Sequence, residues 1–298
     1  MPTIEPISDA ADPRVDVYRA QKDAWLRAAH HPEVAPDADD PAGAPNRTGT
    51  GYAGGLFMAE GELVLDHLLA SRYRPESVLI TPRRLEALAP ATRAALDALP
   101  GSVPIYTAER EVMAEICGFD IHRGVLAAAR RGEDRDPYEV AAGARTLVVL
   151  EDLTNHDNVG SIFRSAAALA GLDRVGVLLS PRCCDPLYRK AVRVSMGLAL
   201  RVPFATLADW PGGLARLAEL GFETWALTLG AGSEDITHAR APEGGRVAVL
   251  VGTEGPGLTP AALAAADRRV RIPIAAGVDS LNAGVAAAIA LHRACGPI

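Results

Sequence analysis

A polar loop followed by a helix carries the first candidate chemistry. The stretch EDLTNHDNVGSIFRSAAALAG, residues 151–171, begins with polar side chains and continues as an alanine-rich helix. Asn158 is well placed to cap that helix, because its side-chain oxygen can accept a free N–H of the first turn. Gly160 permits close approach of a ligand, helix-start N–H groups favour an anion, and Arg164 follows on the same face. The spacing indicates a phosphate or ribose site, although an ordinary cap with a solvent-facing arginine has the same pattern.

A glycine-rich loop offers a second kind of chemistry. GTEGPGL, residues 252–258, has three glycines among its first six residues and Glu254 as its single charge. Glycines let backbone groups contact a planar ligand such as an adenine ring. Thr259 and Pro260 predict that a helix starts directly afterwards. The loop lacks the Gly-Lys-Ser/Thr of a Walker motif, and the chain contains no G-x-G-x-x-G fingerprint.

A third loop combines a hydroxyl and a carboxamide. In IPIAAGVDSLNAGVAAAIALH, residues 272–292, Ser280 is expected to cap the alanine-rich helix that follows. Asn282 then falls in the first turn, where helix propensity gives little reason for it. Asn282 is therefore a candidate site residue, although an incidental polar residue remains an equal alternative.

Hydrophobic strands must bring these loops together. Segments rich in Val, Leu and Ile alternate with helical patterns in the second half of the chain, which predicts a parallel sheet covered on both faces. The predicted strands are 146–150, 174–179, 224–229, 247–251 and 270–274. Ligands of such sheets bind beyond the carboxyl ends of the strands, so the three loops are expected to converge there.

The domain organisation is predicted from the same alternation. A small N-terminal α/β domain is expected over residues 1–130, and its segment 31–55, rich in Pro, Gly, Ala and Asp, is expected to be a mobile loop. Residues 131–145 are interpreted as a charged linker. The larger α/β domain with the parallel sheet follows at 146–298.

Composition limits the class of protein. The net charge is −7, with 16 basic and 23 acidic residues over 1–145 and 14 of each over 146–298, which argues against a generally basic nucleic-acid coat. The stretch 181–201 has five basic residues and one acidic residue, so it is either a local phosphate-binding patch or a solvated helix face. Four cysteines without a CxxC pair, no export signal and no apolar run near ~20 residues favour a cytoplasmic protein without structural disulfides or metal.

The three motifs, in this order, resemble those of a known enzyme family. NVGSIFRSA, GTEGPGL and IPIAAGVDSLNAGVAAAIAL are similar to the motifs of SpoU-type RNA 2′-O-ribose methyltransferases, members of the SPOUT superfamily, over about 146–293. The segment from LFMAEGELVLDHLL to HRGVLA resembles the family's substrate-recognition domain, which is similar to small ribosomal proteins that bind RNA. The resemblance implies a trefoil knot in the C-terminal α/β domain and a homodimer formed through that domain.

The resemblance also implies roles for individual residues. It implies S-adenosylmethionine as cofactor, bound at Gly252, Thr253, Gly257, Ile272, Pro273, Ile274 and Leu281. It implies a catalytic group made of Arg164, Asn158, Glu254, Ser280 and Asn282. Arg164 is expected beside the ribose 2′-oxygen, oriented by Glu254, Ser280 and Asn282. It would act there either as a base or, because an arginine with a pKa above ~12 is a poor base, by stabilising the phosphate and the alkoxide.

The chain departs from the family pattern in the third motif. Ala283 and Gly284 stand where Val and Ser are usual, and Ile274 stands where Met is common. These positions line or support the cofactor loop. The resemblance implies 23S ribosomal RNA as the substrate, because relatives that modify transfer RNA often lack the N-terminal domain, with transfer RNA as the alternative. A non-catalytic RNA-binding protein of the same fold is a further alternative, whereas an oxidoreductase on a doubly wound sheet is disfavoured by the missing glycine fingerprint.

Overall fold

The computed structural model describes residues 1–19, 55–118, 121 and 123–295. The predicted mobile loop 31–55 lies outside the described residues, apart from Gly55. The chain forms two compact units. Met1–Glu133 together with Leu187–Arg193 make the first unit, and Asp134–Pro186 together with Val194–Ile298 make the second.

The first unit is built on a five-stranded mixed sheet. Its strands are β1 (Ile4–Pro6), β2 (Leu56–Glu60), β3 (Arg74–Ile80), β4 (Ile105–Thr107) and β5 (Val125–Arg130). They are ordered β1-β4-β3-β5-β2, and β5 runs antiparallel to both of its neighbours. Its helices are α1 (Glu62–Leu69), α2 (Pro82–Ala87), α3 (Pro90–Asp97) and α4 (Arg110–Cys117), with a 3-10 helix at Pro13–Tyr18.

The core of the first unit explains its apolar strands. All five residues of β2 are buried, as expected for a strand that is covered on both faces. The buried Tyr18 hydroxyl forms a hydrogen bond of 2.7 Å with the Ser77 hydroxyl, which gives both buried polar groups a partner. The Arg189 guanidinium, in the returning segment Leu187–Arg193, donates to the Glu60 carboxylate at 3.1 Å. This ion pair ties that segment to the first unit.

The second unit contains a seven-stranded sheet in which every pair of neighbouring strands is parallel. Its strands are β6 (Thr146–Leu150), β7 (Val175–Leu179), β8 (Phe204–Thr206), β9 (Phe222–Leu227), β10 (Glu234–Asp235), β11 (Arg246–Val251) and β12 (Arg268–Arg271). The order is β10-β12-β9-β11-β6-β7-β8. Since all strands run the same way, the loops that follow β6, β9, β11 and β12 emerge side by side at one edge.

Helices cover both faces of this sheet. They are α5 (Pro137–Gly143), α6 (His156–Ala170), α8 (Leu214–Glu219), α9 (Pro260–Ala265) and α10 (Ala283–Cys295), whereas α7 (Arg189–Val194) lies almost entirely in the segment Leu187–Arg193 of the first unit. Within β6, Val148 and Leu150 pack in the cluster that contains residues of α6 and α10. Leu147 and Val149 pack in the opposite cluster with residues of α5, α8 and α9. The alternation of side chains along a strand thus divides one apolar run between two cores.

The predicted parallel sheet is confirmed, and its boundaries differ in places. The last predicted strand, 270–274, is observed as β12 at Arg268–Arg271, because Pro273 cannot donate to a ladder and residues 272–274 turn away to the loop edge. β8 and β10 are too short to stand out in the sequence. The predicted linker 131–145 contains α5, which Asp136 caps through the N–H groups of Tyr138 and Glu139. The trefoil knot stays a prediction.

Candidate active site

The three loops meet through a chain of side-chain hydrogen bonds at the carboxyl edge of the sheet. The Asn158 carboxamide nitrogen donates to Glu254 Oε1 at 2.5 Å. The Asn282 carboxamide nitrogen donates to Asn158 Oδ1 at 2.7 Å. Asn158 is only 3% exposed, whereas Glu254 and Asn282 are exposed. One buried amide therefore joins the loops that follow β6 and β11 to the start of α10.

Neither helix at this site is capped by the residue that the sequence suggested. Asn155 Oδ1 accepts from Asp157 N at 2.9 Å, so Asn155 caps α6. Asn282 Oδ1 accepts from Gly284 N and Val285 N at 3.0 and 3.2 Å, so Asn282 caps α10. The predicted caps Asn158 and Ser280 are wrong. Because Asn155 satisfies the first turn of α6, the Asn158 side chain is left to contact Glu254 and Asn282.

A cavity of about 400 Å³ lies at the same edge, within the ~300–1,000 Å³ typical of small-molecule sites. Eight residues predicted from the sequence line it: Gly252, Thr253, Glu254, Gly257, Ile272, Ile274, Ser280 and Leu281. Leu227–Gly230 and Asp279 also line it, and sequence reasoning missed them. β9 lies between β11 and β12, so its terminal loop must enter this site. That strand order is the missing signal, and it cannot be read from the sequence.

Four predicted site residues do not line the cavity. Pro273 is exposed, and its neighbours Ile272 and Ile274 line the cavity in its place. Asn158 and Asn282 support the cavity through the Glu254 contact. Arg164 lies on α6 with an exposed side chain. Its guanidinium has no hydrogen bond or ion pair with any residue the structure describes, so the expected contacts with Glu254, Ser280 and Asn282 are not present.

The glycine loop folds back on itself in a way that requires glycine. Gly257 N donates to Thr253 O at 3.0 Å, and the two residues form an isolated β-bridge. Gly257 has a φ of 71°, in the left-handed region that favours glycine. A Cβ on Gly252 would stand 2.2 Å from the carbonyl carbon of Gly257 and 2.3 Å from Leu258 N. The absence of a side chain at 252 thus allows the two arms of the loop to pack against each other beside the cavity.

The comparisons with known proteins agree with this arrangement. The sequence model of the SpoU rRNA Methylase family matches residues 145–292. An uncharacterized tRNA/rRNA methyltransferase of Mycobacterium tuberculosis (strain ATCC 25618 / H37Rv) is 44% identical over 292 residues, which cover 97% of this chain and 91% of the relative. The chain belongs to the SpoU rRNA methylase family. The resemblance seen in the three motifs is thereby confirmed.

Two further matches extend the comparison. The 23S rRNA (guanosine-2′-O-)-methyltransferase RlmB of Acinetobacter baylyi is 28% identical over 202 residues, which cover 66% of this chain and 79% of the relative. An AdoMet-bound rRNA methyltransferase from Sinorhizobium meliloti, known from its crystal structure, superposes with a TM-score of 0.70 at 23% identity and covers 97% of both chains. The latter match supports the fold of each of the two units.

A buried carboxylate anchors the glycine loop of this SpoU family protein. Glu151, 1% exposed, follows β6 directly. Its carboxylate accepts from Thr259 N at 2.8 Å, from the Thr259 hydroxyl at 2.7 Å and from the Trp210 indole N–H at 2.5 Å. Thr259 caps α9, at the point where the glycine loop ends, which confirms the predicted cap. Sequence reasoning overlooked Glu151, although an acidic residue directly after an apolar strand is a readable signal.

The next residue has an unusual backbone conformation. Asp152 has a φ of 54°, which costs energy in a residue other than glycine and is stabilised by its surroundings. Its N–H donates to the Ser180 hydroxyl at 2.9 Å, and that hydroxyl donates to the Asp152 carboxylate at 2.8 Å. The Arg182 guanidinium, which donates to the same carboxylate, lowers the pKa of Asp152. These contacts fix the loop between β6 and α6.

One departure in the third motif, Gly284, has a packing explanation. Gly284 lies where the start of α10 contacts α6, and a Cβ there would stand 2.2 Å from Ser161 Oγ. The Ser161 hydroxyl donates to Asn158 O at 2.9 Å. Gly284 therefore leaves room for a serine on the facing helix. The substitution alters the contact between two helices and leaves Ser280 and Leu281 in the cavity wall.

The basic stretch 181–201 is partly neutralised. Arg182 pairs with Asp152 in the second unit, and Arg189 pairs with Glu60 in the first. Arg193 lies 3.9 Å from the same Glu60 carboxylate. The stretch is thus less cationic than its composition indicates.

The four cysteines are free thiols. Among residues 1–19, 55–118 and 123–295, no three His, Cys, Asp or Glu side chains are grouped to hold a metal ion. In the same part of the chain, none of the helices combines the length and the apolar character that crossing a bilayer demands.

Proposed function

We propose that this SpoU family protein transfers a methyl group from S-adenosylmethionine to a ribose 2′-hydroxyl of structured RNA, with 23S ribosomal RNA as the substrate. The observation that carries the proposal is the Asn158–Glu254–Asn282 chain of hydrogen bonds beside the 400 Å³ cavity. It joins the three motifs that define the candidate site. The name of the Acinetobacter baylyi relative, a 23S rRNA (guanosine-2′-O-)-methyltransferase, supports both the ribose oxygen and the ribosomal substrate.

The cavity has the groups that this cofactor needs. The glycine loop presents backbone N–H and C=O groups for an adenine ring, and Ile272, Ile274 and Leu281 offer apolar contacts. The carboxylates of Glu254 and Asp279 line the same cavity and favour a cationic ligand. When bound, S-adenosylmethionine supplies an electrophilic methyl group on a positively charged sulfur. The protein's part is to hold that group in line with the ribose oxygen.

Arg164 is the residue that we expect to contact the RNA next to the reacting ribose oxygen. A neutral hydroxyl is a weak nucleophile, so the proton on the 2′-oxygen must leave as attack proceeds. The exposed Arg164 guanidinium has no partner among the described residues, which leaves its five N–H donors available to RNA. A guanidinium stays protonated at neutral pH. We therefore assign it to binding the neighbouring phosphate and stabilising the negative charge that develops on the oxygen.

A homodimer forms part of the proposal. Leu281, Val285 and Ile289 follow each other at four-residue spacing from the end of the loop into α10, and they are 36%, 49% and 38% exposed. Residues at this spacing share one helix face. An exposed apolar stripe of this kind is favourable when it packs against a second copy of the chain. Because Leu281 also lines the cavity, such a dimer would lie close to the cofactor.

Mass spectrometry of nucleosides tests the proposed substrate. Ribosomal and transfer RNA are purified from a strain that lacks the gene and from the same strain complemented with it. We expect one 2′-O-methylated nucleoside in 23S rRNA to disappear in the deletion strain and to return on complementation. If the 2′-O-methylated nucleoside disappears from a transfer RNA instead, the substrate is transfer RNA and not 23S rRNA. If calorimetry with millimolar S-adenosylmethionine gives no heat, the non-catalytic RNA-binding alternative is favoured.

A further inference from the structure

A second, larger concave surface lies at the opposite edge of the seven-stranded sheet. It has a volume of about 880 Å³ and is formed by the start of β6, the start of β11 and the ends of α6 and α10. The cofactor cavity lies at the carboxyl ends of the strands, whereas this surface lies at their amino ends. It is therefore separate from the candidate active site.

Arginine dominates the charge of this surface. Four arginines line it: Arg145, Arg174, Arg240 and Arg293. Asp173 is the single carboxylate residue in its lining. We call this surface the arginine groove. A cluster of four guanidinium groups against one carboxylate contrasts with the net charge of −7 of the whole chain.

Two of these arginines are held in place by the protein. The Arg293 guanidinium donates to the carbonyls of Ile236, Thr237 and Ala239 at 2.6–3.1 Å. Arg240 donates to the carbonyls of Thr237 and Ala239 at 2.9 Å. Neutral carbonyl partners fix the direction of a guanidinium without cancelling its charge. The groove thus has positioned cations, and binding a ligand would not require ordering them first.

The other two arginines are available to a ligand. Arg145 and Arg174 are exposed, and their guanidinium groups form no hydrogen bond or ion pair with the residues that the structure describes. Both arginines influence Cys295, which also lines the groove. Burial raises the pKa of the Cys295 thiol, whereas a hydrogen bond with Thr146 and the positive charges of Arg145 and Arg174 oppose that rise. Two unpaired guanidinium groups beside two positioned ones offer several bidentate contacts to an anion.

We propose that the arginine groove binds phosphate groups of the RNA backbone, at the edge of the sheet opposite the methylated ribose. This inference rests on the proposed function, because it assigns the phosphates to the RNA substrate. The planar guanidinium fork of arginine can donate two hydrogen bonds to the oxygens of one backbone phosphate. Contacts of this kind do not depend on the base sequence of the RNA. The groove is open and about twice as large as the cofactor cavity, which suits an extended polyanion better than a single small phosphate.

Salt-dependent RNA binding tests the groove. The dissociation constant for 23S rRNA transcribed in vitro is measured from low to moderate salt for the wild type, Arg174→Gln, and Arg145→Gln combined with Arg174→Gln. Arg269→Gln is the matched control: Arg269 is exposed on β12, loses the same charge and does not line the groove. Cofactor binding is measured in parallel, and inorganic pyrophosphate is titrated as the small-phosphate probe.

We expect each groove substitution to weaken RNA binding several-fold and to reduce the slope of log K against log salt by about 1, with unchanged cofactor affinity. The control should keep the wild-type slope. Equal slopes and affinities in the wild type and the double variant would overturn the proposal that the groove binds RNA, while leaving the proposed function intact. Weaker pyrophosphate binding with unchanged RNA binding would assign the groove to a small phosphate instead. A wild type that does not bind RNA at all would contradict the proposed function itself.

Discussion

At the scale of single residues, the site depends on one buried amide that donates and accepts at the same time. Asn158 donates to the Glu254 carboxylate and accepts from the Asn282 amide. An aspartate at 158 could not donate to Glu254, and an alanine could do neither. The chemistry of a carboxamide, rather than its size or polarity, thus explains why this residue occupies the position.

Asn158→Ala should reduce both stability and methyl transfer. Removing the amide leaves Glu254 and Asn282 without their shared partner, and we expect a loss of about 1–2 kcal/mol in the free energy of unfolding. Asn155→Ala is the control, since loss of the α6 cap costs about 1 kcal/mol on the same helix. Denaturant unfolding and a methyl-transfer assay compare the two. An Asn158→Ala enzyme as active as Asn155→Ala would refute a role for the hydrogen-bond chain.

Arg164→Ala should separate folding from catalysis. The side chain is exposed and has no described partner, so we expect a change in unfolding free energy within about 0.5 kcal/mol. Loss of charge stabilisation at the ribose should lower methyl transfer at least about 100-fold. Calorimetry should give unchanged cofactor affinity. Near-normal methylation of the true substrate by Arg164→Ala would refute the assignment.

At the scale of elements, the glycine loop is shaped by its own backbone. Gly252 contacts the backbone of Gly257 and Leu258 so closely that no side chain fits. Glu151 holds the far end of the loop through Thr259. A loop fixed at both ends keeps its backbone groups pointed at the cavity before the ligand arrives, which reduces the cost of binding.

Gly252→Ala should weaken cofactor binding. The added Cβ would overlap backbone atoms at 2.2–2.3 Å, so the loop must shift and its cavity must change shape. We expect at least about a ten-fold loss of cofactor affinity by calorimetry, or roughly 1.4 kcal/mol. Gly143→Ala is the matched control, because a Cβ at that position has no atom within 4 Å. Equal affinities in the two variants would contradict a cofactor role for the loop.

Sequence reasoning predicted those elements whose residues carry long apolar runs. β6 and β11 each bury five consecutive residues, four of which are Val or Leu, and such a run is typical of a parallel strand that is covered on both faces. The polar residues in the segments that follow these strands, Asn158 and Glu254, could be singled out for the same reason. The contribution of Leu227–Gly230 could not, because it follows from the strand order. The cap of α6 was misplaced because Asn155 and Asn158 are both good capping residues, and local sequence does not distinguish them.

At the scale of the whole molecule, the helix α10 belongs to two surfaces. Its buried residues, among them Ala287 and Leu291, pack in the core with α6. Its other face exposes Val285 and Ile289. The core of one chain covers only one of these apolar faces. A second copy of the chain would cover the exposed apolar side chains on the other face.

Val285→Glu combined with Ile289→Glu should disrupt the proposed dimer. Two carboxylates in an apolar interface would be desolvated without partners, which is strongly unfavourable. Sedimentation equilibrium should give twice the chain mass for the wild type and the chain mass for the variant. Leu63→Glu, at an exposed apolar residue of α1, should remain a dimer. A wild type that sediments as a monomer would contradict the dimer.

The central claim is that this protein methylates a ribose oxygen. Purified protein is incubated with in vitro transcribed 23S rRNA and S-adenosylmethionine carrying a labelled methyl group, and the RNA is digested to nucleosides for mass spectrometry. We predict label in one nucleoside, on the sugar fragment, and at least about 100-fold less label with Arg164→Ala. Label on a base fragment, or equal labelling by the wild type and Arg164→Ala, would contradict the account.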